Sequence, residues 1–331
     1  MTPGRCVVEV LRGGVMESVH RVHVAVAHAE QGLAASAGNP AHHSFVRSAI
    51  KMFQLLPFVE AGGVERFQLT GEELALCTAS HGGEPFHVAT ARAILAKAGV
   101  TDAELACGPH LPLHEPSATV MVAAGQPPGR LHNNCSGKHA AMLAHCVQQQ
   151  WLTNGYHRAG HPMQQRIIST LARWMRIDAS DVAHGIDGCG LPTFAIALDA
   201  VAEGCAKFSA AVADHDPAPS AIFTAMVSHP EFVAGTDRLD TDLMRVAGPR
   251  LIAKVGAEGF YCAGIPSLRI GVALKVEDGS KRAAEPALLA VLRHLDAISH
   301  TELDRLAKYF APEILNTRNE LVGSIRVDLQ F

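Results

Sequence analysis

Aromatic residues are scarce in this chain of 331 residues: they make up 5%, with only two Trp and three Tyr. Charge is scarce as well, at 18%, where a globular domain usually carries about 25%. The 28 basic and 32 acidic residues leave a net charge of −4. That excludes the broad basic face that nucleic-acid binding needs. No apolar run approaches the roughly 18 residues of a membrane span. Met1-Thr2-Pro3-Gly4-Arg5-Cys6 is followed by Glu9 and Arg12 before any long apolar stretch, so no secretory leader is expected there. Eight cysteines are too few for a disulfide scaffold. The expectation is a reduced cytoplasmic protein, with neither nucleic acid nor membrane as partner. What the chain does have is 19 His, a 48% hydrophobic content and the length for one or two cores.

Strand patterns occupy both ends. Val7–Leu11 stops at Gly13-Gly14, a second run sets Val22, Val24 and Val26 on one face, and Gly32–Ser36 gives a third strand. The pattern returns at Gly259–Ala263, Leu268–Val276 and Ser324–Gln330. Helical periodicity fills the middle, over Arg47–Val59, Pro85–Ala98, Ser136–Gln150, His161–Met175, Thr193–Lys207, Ala218–Ser228 and Arg238–Val246. Thr70-Gly71-Glu72-Glu73 is a capping box that opens a further helix. Helices at Glu285–Ile298 and Glu302–Phe310 precede the last strand. The expected fold is α+β, an antiparallel sheet built from both chain ends plus a helical lobe. One domain of 1–331 would have a sheet lobe of about 1–43 and 250–331 and a helical lobe of about 44–249.

Several segments carry reactive groups. In Ser48-Ala49-Ile50-Lys51, i and i+3 share a helix face, so the amine can reach the hydroxyl. Apolar neighbours Phe45, Val46, Ile50 and Phe53 suggest a buried site, where lysine loses its proton more easily and can act as a base. His132-Asn133-Asn134-Cys135-Ser136-Gly137-Lys138-His139 opens an apolar helix, and a thiol at a helix N-terminus is biased toward thiolate. An ordinary N-cap would explain one polar residue there, not all of them. Asp187-Gly188-Cys189-Gly190 is a tight turn that carries a second thiol. Cys135 and Cys189 could give two sulfurs to a metal such as Zn²⁺, with Lys138 or His139 as third ligand and one position left for water. Ser80 follows a helix in a Gly-rich loop, and Lys254 leads into the C-terminal strands.

An S-x-x-K in a helical lobe, with an antiparallel sheet from both termini, resembles the serine β-lactamase, penicillin-binding protein and bacterial glutaminase architecture. The S-D-N of the penicillin enzymes is absent, and their K-T-G appears only as Lys254-Val255-Gly256. The chain is more similar to the class 3, Rhizobium-type L-asparaginases, the asparaginase II family. The segments that carry this are Glu9–Ser18, Arg47–Gln54, Ala79-Ser80-His81, Asn133–His139, Gly185–Pro192 and Ala253–Gly259. The resemblance implies two serine–lysine pairs, Ser48 with Lys51 and Ser80 with Lys254. It implies a zinc on Cys135, Lys138 and Cys189 plus water, and Arg47, His139 and Asp187 lining the substrate pocket. Lys275 is the alternative to Lys254. The implied activity is conversion of L-asparagine to L-aspartate and ammonia through a serine acyl-enzyme, in a homodimer. The alternatives are a penicillin-recognising hydrolase or glutaminase of the same fold, or a non-enzymatic zinc protein.

Overall fold

The computed structural model describes residues 4–180 and 182–331. It is α+β, and the chain divides into two compact units. One comprises Met1–Ala49, Ile196–Ala213 and Val246–Phe331, and the other Ile50–Ala195 and Asp214–Arg245. The expected helical lobe of about 44–249 is therefore interrupted: residues 196–213 belong with the sheet.

The sheet unit is built on eight antiparallel strands. Their order is Ile314–Leu315, Leu321–Gln330, Arg5–Arg12, Val15–His28, Ile270–Val276, Phe260–Ile265 and Ile252–Val255, with Gly32–Ala37 paired to the lower part of Val15–His28. The two chain ends do pair, Arg5 opposite Gln330 through Arg12 opposite Gly323. Phe260–Ile265 is buried at every position, as a strand covered on both faces must be.

The helix Leu198–Ala213 lies on this sheet because two glycines let it approach. A Cβ at Gly271 would stand 2.2 Å from Ala202 O, and one at Gly264 would stand 2.8 Å from Ser209 Oγ. The sequence pattern predicts this helix from Thr193. The structure instead makes Pro192–Ala197 a strand paired with His184–Ile186, and the helix starts at Leu198. Thr193, Phe194 and Ile196 are strand-forming residues, and local propensity followed them. Two helices at Gly63–Phe67 and Glu115–Ala123 carry no clear apolar period in the sequence and were not expected.

In the helical unit, Ser136–Gln148 is the centre. All of it but Val147 is buried, and it packs on Lys51–Glu60, Gly71–Cys77 and Pro85–Lys97. The Thr70 capping box forms as expected, with Thr70 N–H donating to Glu73 Oε2 at 2.7 Å. Gly137 sets the closest approach: a Cβ there would stand 2.2 Å from Leu76 O. Any larger residue would drive the Cys135–His139 turn away from the helix that leads into Ser80.

Candidate active site

Lys51 is completely buried. Its amine holds three partners, matching its three donors: Ala79 O, Ser80 Oγ at 3.0 Å and Cys135 Sγ at 3.3 Å. Burial pushes the ammonium pKa below its ordinary value, and nearby Cys135 partly restores it. All these groups lie in the helical unit, so one bond there joins members of the two expected serine–lysine pairs. Ser80 is itself buried, and its backbone N–H is engaged by Val233 O at 2.9 Å.

The polar residues around Cys135 divide into a brace and a cluster. Asn133 Oδ1 accepts from Cys135 N–H at 2.9 Å while its Nδ2 donates to Gly108 O at 2.7 Å. Asn134 N–H donates to His110 Nε2 at 2.9 Å. His81 Nδ1 accepts from Gly83 N–H at 3.1 Å, and its Nε2 therefore donates to Ser136 Oγ at 2.9 Å. Ser136 passes its own hydrogen to Leu131 O at 3.0 Å. These bonds hold the Ser80 and Cys135 loops together, which is why so many polar residues occur in that segment.

Cys135, Lys138 and Cys189 do come together. Lys138 Nζ donates to Cys189 Sγ at 3.3 Å. The turn that presents Cys189 is closed by Asp187 N–H to Leu191 O at 2.8 Å, with Gly190 at φ +84° where a side chain would be strained. The thiolate is not the one expected. The hydrogen bond that Cys135 donates to Cys189, with the Lys138 charge, pulls Cys189 down to about 5. The same bond and burial push Cys135 up to about 12. A helix N-terminus acts weakly beside a direct thiol–thiolate bond and an ammonium. Burial opposes the charge on Lys138, but Cys189, Cys135 and Asp187 together raise its pKa.

His139 is buried, and desolvation followed by the Lys138 charge pushes it down to about 3. Its ring is neutral. Asp187 is half-buried on the same unit.

The sheet unit holds the remaining candidates. Arg47 opens a 3₁₀ turn over Arg47–Ile50 with φ +49°, a left-handed conformation that costs a non-glycine residue about 1–3 kcal/mol and is typical of functional loops. Ser48 is half-buried in that turn, so the helix proper begins only at Lys51. Lys254 is fully buried on Ile252–Val255, opposite Cys262, and donates to Val255 O at 3.0 Å. Cys262 Sγ donates to Ala49 O at 2.9 Å, and a Cβ at Gly256 would stand 2.9 Å from Val46 O. The Ser48 turn thus packs directly against the strands that carry Lys254. Lys275 has a different occupation, capping Glu258 O at 2.8 Å.

Among the described residues no group of three or more His, Cys, Asp or Glu is placed to hold a metal ion. Any site here must use the lysine. Two sulfurs, one of them drawn toward the thiolate, beside an amine form a donor set that suits a borderline-soft ion, so the residues fit zinc. Tyr156 is the group that sequence reasoning missed. It lies 17 residues from His139, a spacing without a local signal, yet its hydroxyl meets His139 Nδ1 at 2.6 Å.

A buried amine on a serine hydroxyl is a pair whose chemistry suits amide or ester hydrolysis. The L-asparaginase II family model matches residues 8–327, and the chain belongs to that family, a family of amidohydrolases. No curated protein sequence matches the chain. Among solved structures, a candidate β-lactamase from Bacteroides dorei DSM 17855 is similar at 13% identity and a TM-score of 0.39, over 88% of this chain and 94% of that one. Among the described residues no helix is long and apolar enough to cross a membrane.

Proposed function

We propose that the protein is an L-asparaginase that forms a serine acyl-enzyme. The observation that carries this is Lys51: a lysine without any exposure, with lowered basicity, on Ser80 Oγ at 3.0 Å, in a chain of this family. A neutral Lys51 keeps two N–H donors for Ala79 O and Cys135 Sγ. Its lone pair is then free for a hydroxyl proton. Ser48, the more accessible of the two serines, attacks the side-chain amide carbon of asparagine. Lys51 takes up the nucleophile's proton, and Ser80 passes a proton on toward the leaving ammonia. Lys254 completes the second pair with Ser80, as the family resemblance assigns it. Water then hydrolyses the ester to aspartate. Arg47, His139 and Asp187 hold the substrate.

Cys135, Lys138 and Cys189 would hold one zinc ion. Bound there, zinc would supply fixed positive charge near the substrate; its thiolate ligands weaken it as an acid for water. Assembly as a homodimer is part of this reading, and sedimentation measures it.

The test is ammonia release from asparagine and from glutamine, with added zinc and with chelator. Asparagine hydrolysis is expected to exceed glutamine hydrolysis, and Ser48→Ala is expected to abolish it. Near-normal turnover by Ser48→Ala, or an acyl group found on Ser80 by mass spectrometry, would reverse the roles of the serines. No ammonia from either substrate would overturn the activity itself.

A further inference from the structure

His139 is fully buried, and its Nε2 has no hydrogen-bond partner. A buried polar nitrogen left unpaired is costly, so such an atom needs a reason. The other nitrogen supplies one. His139 Nδ1 meets the hydroxyl of Tyr156 at 2.6 Å, with the rings edge to face at 5.7 Å between centroids. Tyr156 is 1% exposed, and its oxygen already accepts Ala106 N–H at 2.9 Å. The phenol hydrogen therefore needs an acceptor, and His139 Nδ1 is the one within reach. If Nδ1 instead carried a hydrogen, the phenol oxygen would receive two donors and its own hydrogen would be buried unpaired. The arrangement is self-consistent in one direction only: Ala106 N–H to Tyr156, Tyr156 O–H to His139 Nδ1, and the ring hydrogen on Nε2.

We propose that Tyr156 is a positioning residue that fixes His139 as the Nε2–H tautomer, so that the ring donates one hydrogen bond to an oxygen of the bound amide substrate. This rests on the asparaginase reading for the identity of the substrate, but the tautomer does not. A preset donor costs no proton rearrangement when the substrate arrives. It also makes the pocket select for an acceptor, a carbonyl or carboxylate oxygen, over a donor at that point.

The ring nitrogens of His139 in ¹⁵N-histidine-labelled, substrate-free protein report the tautomer directly, with the resonances assigned through His139→Gln. Nδ1 is expected to be unprotonated and Nε2 protonated. In Tyr156→Phe, which keeps the ring and removes only the hydroxyl, the two tautomers are expected to mix. KM for asparagine is expected to rise about tenfold, the weight of one buried hydrogen bond, with kcat within about twofold. His139→Gln, whose amide nitrogen can stand near Nε2, is expected to bind asparagine better than His139→Asn, whose amide nitrogen stands near Nδ1. A hydrogen on Nδ1 in the unsubstituted protein overturns the proposal whether or not Tyr156→Phe folds. An unchanged tautomer in folded Tyr156→Phe overturns the role of Tyr156. The expected tautomer in a protein that fails to bind asparagine by calorimetry would count against the asparaginase reading and the substrate contact, and leave the tautomer assignment standing.

Discussion

Among the described residues two pairs of buried cysteines interact, one in each unit, and they differ in the charge that acts on them. Cys135 and Cys189 share a hydrogen bond beside Lys138, and Cys189 falls to about 5. Cys205 meets Cys262 in the sheet unit, no lysine or arginine acts on Cys205, and that contact together with burial carries Cys205 well above the ordinary thiol value. There Cys262 donates to Ala49 O and the pair serves packing between the helix Leu198–Ala213 and the sheet. Contact between thiols therefore does not by itself favour a thiolate. The neighbouring ammonium does, because it stabilises a thiolate that burial alone would forbid.

The largest test of this contrast concerns the lysine beside the helical pair. Lys51→Met is expected to lower asparagine turnover by about 10³-fold, the range for loss of a general base, while Cys205→Ser keeps kcat within about twofold. Turnover of Lys51→Met within tenfold of the parent would show that the helical cluster is packing as well.

Metal content sharpens the contrast next. Cys189→Ser is expected to lose most of the zinc measured by elemental analysis after loading, and Cys205→Ser to lose none. Equal loss in both would break the distinction. In the unsubstituted protein, binding must displace the Cys135 thiol proton, held up to about 12, and a proton from Lys138, whose pKa is also raised. Zinc affinity by competition with a chelator is thus expected to rise steeply between pH 6 and pH 8, with little contribution from Cys189, already ionised above about 5. A flat profile would count against Lys138 as a ligand.

The two close approaches can be compared in the same way. Gly137→Ala and Gly271→Ala each place a Cβ 2.2 Å from a backbone carbonyl oxygen. Each is expected to cost about 1–3 kcal/mol in denaturant unfolding. Only Gly137→Ala should also depress turnover of the folded fraction, since it moves Lys138 against Ser80. Equal activity in both would detach the site from that packing. The smallest expected effect is Thr70→Ala, about 1 kcal/mol from the lost cap. An unchanged midpoint would show the helix before Ser80 to be held by packing alone.

Much of the fold was legible because strand and helix periods leave a local imprint. Val22, Val24 and Val26 are buried as their alternation requires, and Glu73 closes its box on Thr70. Pro192–Ala197 misled because six residues at a helix start are too few for period to decide. At the site, Lys51 and Lys138 were conspicuous as lysines inside apolar helices, and both are buried. The thiols beside Lys138 were legible as a set, but the partners of Lys51 were not. Ser80 and Cys135 reach Lys51 across 29 and 84 residues, and Tyr156 reaches His139 across 17.

The sequence by itself determined the α+β class, the pairing of the chain ends, the family, and which lysines and cysteines are out of place in a lightly charged chain. Those properties follow from residue type and short spacing. Only the tertiary structure decided that Lys138 stands on Cys189, that Lys51 bonds Ser80, and that Tyr156 meets His139 Nδ1. A proton goes to whichever group its neighbours favour, and in a buried site those neighbours come from distant parts of the chain.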